Sequence, residues 1–477
     1  MLKKLNRITA SRPQTRPVKI LQFGEGNFLR AFADWMVDIL NEKTDFNGAI
    51  QIVQPIAHGM GQVLNAQDGL YHLVLNGIRQ GKPVREIRLI TCVAGVINPY
   101  EDYQVYLKTA ENPELEFIIS NTTEAGIRFS EEDKGPDVLP ETFPGKLTAL
   151  LYHRYKFFKG DRRQALKIMP CELIEKNGET LRSTILQCIA HWNLGEGFKN
   201  WISEHTLFCN TLVDRIVPGF PKDTVRELWE ETGYEDNLVV TAEPFHLWVI
   251  EPKAGPQTAS VEALRKAFPL ESAGLQVKFV PDLAPYRTRK VRILNGAHTA
   301  MVPIGYLRGL RTVRDVIEDA YTGHFVRKTL EEEILPTLDL PAEELQQFVG
   351  DVMERFQNPF IRHELLSIAL NSISKFQVRV LPSLLAYHQR KGKLPEGLLF
   401  SFAALILFYK GEWQGEAIPL NDTPAVLEIF KKAWSQGDAS VAIEQVLRSH
   451  ELWNTDLTKI AGLHSGLEKS LRAISNR

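Results

Sequence analysis

Between Arg287 and Met301 the chain reads RTRKVRILNGAHTAM. A lysine (Lys290), an amide (Asn295) and an imidazole (His298) stand there among Val291, Ile293, Leu294 and Met301. The apolar residues fit a helix drawn into a core. On a regular helix Lys290 and His298 lie about 80° apart, and Asn295 and His298 about 60°. All three reach one cleft if the lysine stem bends over. These types suit hydride transfer at a secondary alcohol. Oxidation needs a base for the hydroxyl proton as hydride leaves carbon, and a neutral lysine can take it. Burial favours the neutral form, and so do the neighbouring cations Arg287, Arg289 and Arg292. In the reverse direction the ammonium gives the proton back to the carbonyl oxygen. Asn295 can donate its amide N–H to the developing oxyanion. His298 can orient a substrate hydroxyl or share the proton transfer. The plain alternative is a surface lysine and amide beside a hydrogen-bonded core histidine.

A second chemical signal lies in FGEGNFLR, after the apolar stretch VKILQF. Gly24 permits a tight turn, and Gly26 lets the backbone approach a pyrophosphate. The helix expected next would present free N–H groups, with Asn27 as its cap and Arg30 adding positive charge. Leu29 stands at the third glycine position of the dinucleotide fingerprint. The plain alternative is a glycine turn between strand and helix. The next strand ends in IQIVQPIAHG, with Gln54 where a ribose-binding carboxylate is expected. An acid there favours NAD and an arginine NADP. Neither is present, so these residues leave the choice open.

The positioning elements follow from pattern. Two domains suit 477 residues better than one core. VKILQF, AIQIVQP, LEFIIS, ALKIMPCEL, TLFCNTLVDRIVP and NLVVTAEPFHLWVIE read as strands, and YHLVLNGI with VREIRLIT as a strand pair. One helix is expected over EGNFLRAFADWMVDILNEK, others over PGKLTALLYHRYKFF and GETLRSTILQCIAHWN. Strands alternating with helices predict an α/β fold, a Rossmann-type doubly wound sheet, over 1–285. The rest, 286–477, reads as amphipathic helices, a mostly α-helical domain. The boundary falls near DLAPYRTRK.

Composition excludes several classes. The formal net charge of −2 gives no reason to expect nucleic acid or an anionic membrane as partner. The four cysteines, Cys92, Cys171, Cys188 and Cys209, form no C-x-x-C pair. The basic start lacks an apolar signal core, and a cytosolic protein is expected. Glu243 and His246 have a metal-site spacing in one copy only, so no metal is expected. Neither a G-x-S-x-G elbow nor a Walker-type loop occurs.

KVRILNGAHTA resembles the signature of the polyol-specific long-chain dehydrogenases, the mannitol dehydrogenase family. GEGNFLRAF, DGLY, NTTEAG, FPGKLT, LVDRIVP, EPFHLWVIE and RFQNPFIRH resemble further family blocks, in the right order over nearly the whole chain. The resemblance implies that Lys290, Asn295 and His298 are catalytic, without metal, in a site between the two domains. It implies a nucleotide site at Phe23, Gly24, Gly26, Asn27, Phe28, Arg30, Gln54, Thr122, Thr123 and Glu124. For substrate it implies Lys375, and Asp214 within LVDRIVP; Arg287, Arg362 and His363 are further candidates for the substrate site.

Two departures matter. The family's C-D-N-x-P-x-N-G, whose first Asn is a second oxyanion donor, reads CELIEKNG here, with Leu173 at that donor position. Polyol-active members place an arginine eight residues before the substrate-binding lysine, and here Ser367 stands there. PCELIEKNG and FCNTLVDRIVPGFP look like a uronate-reducing branch. That likeness implies NAD as cofactor and the reduction of D-tagaturonate to D-altronate. A uronate carboxylate favours arginine in its pocket. Arg287, Arg289 and Arg362 are the candidates. Fructuronate or fructose as substrate, and a non-catalytic nucleotide sensor, stay open, as does the oligomeric state.

Overall fold

The computed structural model describes residues 2–12, 16–122, 126–255 and 260–475. The chain divides into two units, Met1–Asn76 with Pro83–Leu283, and Gly77–Lys82 with Ala284–Arg477.

In the first unit the apolar runs form eight strands. They are β1 (Val18–Phe23), β2 (Ala49–Val53), β3 (Val93–Ile97), β4 (Phe117–Ser120), β5 (Lys167–Pro170), β6 (Leu207–Asp214), β7 (Leu247–Ala254) and β8 (Val277–Phe279). Their order across the sheet is β8-β7-β6-β5-β4-β1-β2-β3. Strands β1 to β6 pair in parallel. β7 runs antiparallel to β6, and β8 parallel to β7. This is the Rossmann order with a two-strand extension. Successive side chains feed opposite faces. Ile20 joins Phe32, Trp35 and Met36 in one core, while Leu21 and Phe23 join Phe143, Leu147 and Leu150 in the other. A sheet covered on both faces explains why the strands read as apolar runs rather than as alternations.

The expected long helix after β1 is two helices. α1 (Asn27–Arg30) is one turn, and α2 (Ala33–Lys43) follows a break at Phe32, whose φ is −126° and ψ −79°. A smaller sheet combines Val240–Ala242, Tyr71–Arg79 and Lys82–Ile90. FPGKLTALLYHRYKF forms α3 (Phe143–Phe157) and NGETLRSTILQCIAH forms α4 (Asn177–His191).

The second unit is helical. Its main elements are α5 (Ala284–Lys290), α6 (Gly296–Leu307), α7 (Ala342–Phe356), α8 (Ser372–Arg379), α9 (Leu381–Lys391), α10 (Glu396–Phe408) and α11 (Leu463–Ser475). α10 is apolar almost all round and lies in the centre, packed on α6 and α11. A short hairpin, Glu412–Trp413 with Glu416–Ala417, interrupts the expected run of helices. In Gly77–Lys82, Gln80 and Gly81 donate backbone N–H bonds to the Glu354 carboxylate, at 3.2 and 2.8 Å. No described helix is long and apolar enough to cross a membrane.

One polar group inside the first core sets a pH dependence. Asp34 on α2 is fully buried, and the Tyr71 hydroxyl donates to its Oδ2 at 2.8 Å. Burial pushes its carboxyl up to about 7. The folded protein therefore keeps this proton to near neutral pH, whereas the unfolded chain releases it at the ordinary carboxylate pKa. Stability conferred by the bound proton is present at low pH and falls as pH rises towards 7. Between about pH 5 and pH 8 the loss is roughly 3 kcal/mol. Asp34→Asn should flatten the melting temperature across that range. An unchanged slope in the variant would remove Asp34 as its source.

Candidate functional site

β1 turns back on itself at Gly24, whose φ is +121°. A Cβ there would stand 3.0 Å from the Asn121 carbonyl oxygen, and Asn121 donates its N–H to the Phe23 carbonyl at 3.1 Å. The chain leaving β1 thus packs on the chain leaving β4. This is the switch point, where β1 leads outward to β2 and β3 on one side and β4 begins the other. Open α/β sheets bind ligands at the carboxyl ends of such strands. Gly26 is exposed, and a Cβ on it would meet nothing within 4 Å. Its bare backbone faces open space, which fits the close approach of a pyrophosphate.

Several neighbours named from the sequence do other work. Arg30 is fully buried; it donates to the carbonyls of Glu25 and Leu238 and to Asn27 Oδ1, and its guanidinium lies over the Tyr71 ring. It locks the turn from inside and offers no charge to a phosphate. Asn27 is the first residue of α1, not its cap; no side chain caps that helix. The Phe23 ring is core, packed on Tyr106 and Phe143. Phe28 stacks on Phe32 and stays half-buried. Gln54 is 3% exposed; its amide donates to the Ile56 and Ala57 carbonyls and accepts from the Gly61 N–H. It shapes the loop after β2 and has no group left for a ribose. Thr122 is held through its N–H and hydroxyl by Glu172, whose buried carboxyl is pushed up by desolvation. Thr123 and Glu124 lie outside the described residues.

An acid does reach the end of β2, from the glycine turn itself. Glu25 accepts the Met60 N–H at 3.3 Å, and a side chain at Gly59 would collide with its Oε1. Only an acid inside the fingerprint, at the position between its first two glycines, signals this in the sequence.

In the second unit α5 runs into α6 through Val291–Asn295, a π-helical turn. The regular spacing assumed from the sequence does not hold there. On an α-helix Lys290 and Asn295 would point about 140° apart. The i→i+5 bonding of a π turn brings residues five apart towards one side. Lys290, Asn295 and His298 are all half-buried, while Ile293, Leu294, Ala297 and Met301 are buried. The Asn295 amide has no hydrogen-bond partner among the described residues, so its N–H is available to a ligand. The His298 ring lies 4.5 Å from that of Phe356 and 5.0 Å, edge to face, from that of His363. Burial holds the His363 imidazole below its usual pKa, which keeps it neutral at pH 7.

The expected carboxylate-binding arginines separate. Arg289 is 3% exposed, pairs with Glu344 at 2.6 Å and stacks on Phe348. It braces α5 against α7. Arg362 has an exposed side chain held by Glu364 at 2.5 Å. Arg287 is half-buried on α5. Lys375 is half-buried on α8 and donates to the Ile368 carbonyl at 2.8 Å. Asp214 is buried at the end of β6 in the first unit. Ser367 and Leu173 are exposed. His246 ring nitrogens meet the Pro244 carbonyl and the Gln276 N–H, which leaves the Glu243–His246 pair no metal geometry.

Residues 18–261 match the Mannitol dehydrogenase Rossmann domain, and residues 282–475 the Mannitol dehydrogenase C-terminal domain. The chain belongs to the mannitol dehydrogenase family. Altronate oxidoreductase of Bacillus subtilis is 50% identical, over 97% of this chain and 94% of that one. The altronate oxidoreductases of Phocaeicola vulgatus and Yersinia pestis are each 47% identical, covering 100% and 97% of this chain and 98% and 96% of theirs. Among solved structures, a substrate-free D-sorbitol dehydrogenase superposes with a TM-score of 0.80 at 24% identity, over 98% of this chain and 97% of that one. Pseudomonas fluorescens mannitol 2-dehydrogenase, solved with NAD and D-mannitol, gives 0.66 at 23% identity, over 99% and 97%. Both share the fold of this family member.

The open space at Gly26 makes a separable prediction. Gly26→Val should melt like the wild type, because a Cβ there meets no protein atom within 4 Å, yet bind NADH about tenfold more weakly or worse. Unchanged NADH affinity would move the pyrophosphate off this turn.

Proposed function

We propose that this chain is an NAD-dependent dehydrogenase that interconverts D-tagaturonate and D-altronate. The observation that carries the substrate is the 47–50% identity, over almost the whole chain, to proteins named altronate oxidoreductase. The residues on and flanking the π turn, Lys290, Asn295 and His298, supply the chemistry. The first domain, 1–285, binds the dinucleotide, and the second, 286–477, holds the substrate and the proton-transfer groups.

NAD, when bound, supplies or accepts the hydride. In reduction, Lys290 as ammonium gives its proton to the keto oxygen while that oxygen gains charge. Asn295 donates its free amide N–H to the same oxygen, which lowers the barrier most when the negative charge is greatest. His298 orients a neighbouring hydroxyl of the chain. In oxidation the neutral Lys290 takes the hydroxyl proton. The overall exchange is ketone, hydride and proton for secondary alcohol, and no other reactant is required. Leu173 contributes nothing to the oxyanion, so Asn295 carries that task without the family's second amide. Glu25 accepts from a ribose hydroxyl and repels a 2′-phosphate, which favours NAD over NADP.

The test is consumption of NADH by the purified protein with tagaturonate, fructuronate and fructose in parallel, repeated with NADPH. Fast turnover confined to tagaturonate and NADH is expected. Preference for fructuronate or fructose would overturn the substrate, and equal use of NADPH would overturn the role of Glu25. Cofactor binding without turnover of any of the three would favour a nucleotide sensor.

A further inference from the structure

α8 carries Lys375 and Arg379 four residues apart, on one helical face. Both are half-buried. No carboxylate lies within ion-pair distance of either among the described residues. Burial alone holds the Arg379 guanidinium below its usual pKa; burial and then Arg379 depress the Lys375 ammonium. Asp422 is the nearest acid to act on Lys375, and its carboxylate already meets the Tyr409 hydroxyl at 2.5 Å and the Thr423 N–H at 2.8 Å. The other arginines weighed for a substrate carboxylate differ. Arg289 has Glu344, and Arg362 has Glu364.

Arg379 also touches the reactive helix. α8 packs on α6, and Arg379 Nη1 stands 3.5 Å from Thr299 Oγ1. Thr299 follows His298 in the chain, and its hydroxyl donates to the Asn295 carbonyl at 3.0 Å. A Cβ on Gly296 would come within 3.3 Å of the Arg379 carbonyl, so the two helices meet closely beside Asn295. On the same π turn Arg292 is half-buried, donates to Ser383 Oγ at 3.0 Å, and likewise has no acid against it. Two like charges on one face are unfavourable in a partly dry site unless an anion joins them.

We infer that Arg379, together with Lys375, binds the carboxylate of the substrate and selects sugar acids over neutral ketoses. This rests on the function proposed above and assigns its specificity. In a 5-keto hexonate the carboxylate is four carbon–carbon bonds from the reacting carbon, a reach on the order of 5 Å. That is about one helical turn, the step from the Asn295–His298 turn to its neighbour. The arrangement also accounts for Ser367. The charge that polyol-active relatives place eight residues before the lysine is supplied here four residues after it. It comes from within the helix instead of the exposed segment before it.

The test is calorimetric binding of D-altronate, and of the alditol that lacks its carboxylate, to the enzyme–NADH complex. Arg379→Gln should weaken altronate by about tenfold or more, the loss expected for a charge-assisted hydrogen bond, and leave the alditol unchanged. Arg379→Lys should recover part of the loss, and Arg362→Gln should lose nothing. Equal affinity for altronate in Arg379→Gln, or a parallel loss for the alditol, would overturn the assignment and leave Arg379 a packing residue. Wild-type enzyme that neither binds altronate nor reduces tagaturonate would instead overturn the functional proposal itself.

Discussion

The wide turn at Val291–Asn295 is the constraint on which the second unit depends. A π turn holds one more residue than an α turn, so everything after it is rotated relative to everything before it. The rotation brings residues five apart, such as Lys290 and Asn295, towards one side, while Ile293 and Leu294 are buried. Such a turn has poorer hydrogen-bond geometry than the α-helix around it and persists only when its surroundings hold it. The anchors are visible on both sides. Arg289 pairs with Glu344 of α7, Arg292 bonds Ser383 of α9, and Gly296 admits the backbone of α8. Among the charged residues of RTRKVR, Arg289 and Arg292 therefore brace the turn, although the sequence gives all of them one texture.

The first unit solves a different problem with the same economy of groups. Its glycine turn is held by buried Arg30, which donates to three acceptors, two backbone carbonyls and the Asn27 side chain. Its second strand ends in an amide, Gln54, committed to the loop that follows. Glu25 then reaches the place Gln54 has vacated. The carboxylate near the end of this strand thus comes from the turn rather than from the strand itself.

The architecture was legible because burial on both faces forces long apolar runs. VKILQF, AIQIV and FIIS could hardly be anything but strands, and the helices of the second half follow the ordinary apolar period. What could not be read was any feature in which local pattern and contact disagree. The break at Phe32 leaves no composition signal. Arg30 and Asn27 look like phosphate ligands because their types and positions fit, and only the burial of Arg30 and its bond to the Asn27 side chain reveal that the guanidinium is already used. The π turn is invisible to a calculation at a fixed angle per residue. Arg379 sits in an unremarkable amphipathic helix, and the signal for it was the like-charge spacing with Lys375. The family resemblance, carried by KVRILNGAHTA, singled out candidate reactive residues, but it could not say which arginines are already paired.

The most direct test of this account is stopped-flow reduction of tagaturonate by the Lys290→Met variant under single-turnover conditions. The variant should bind NADH as the wild type does and transfer hydride about a hundredfold to ten-thousandfold more slowly, the usual worth of a positioned proton donor. Hydride transfer within about tenfold of the wild-type rate would remove the lysine from the mechanism and leave the π turn without its catalytic purpose.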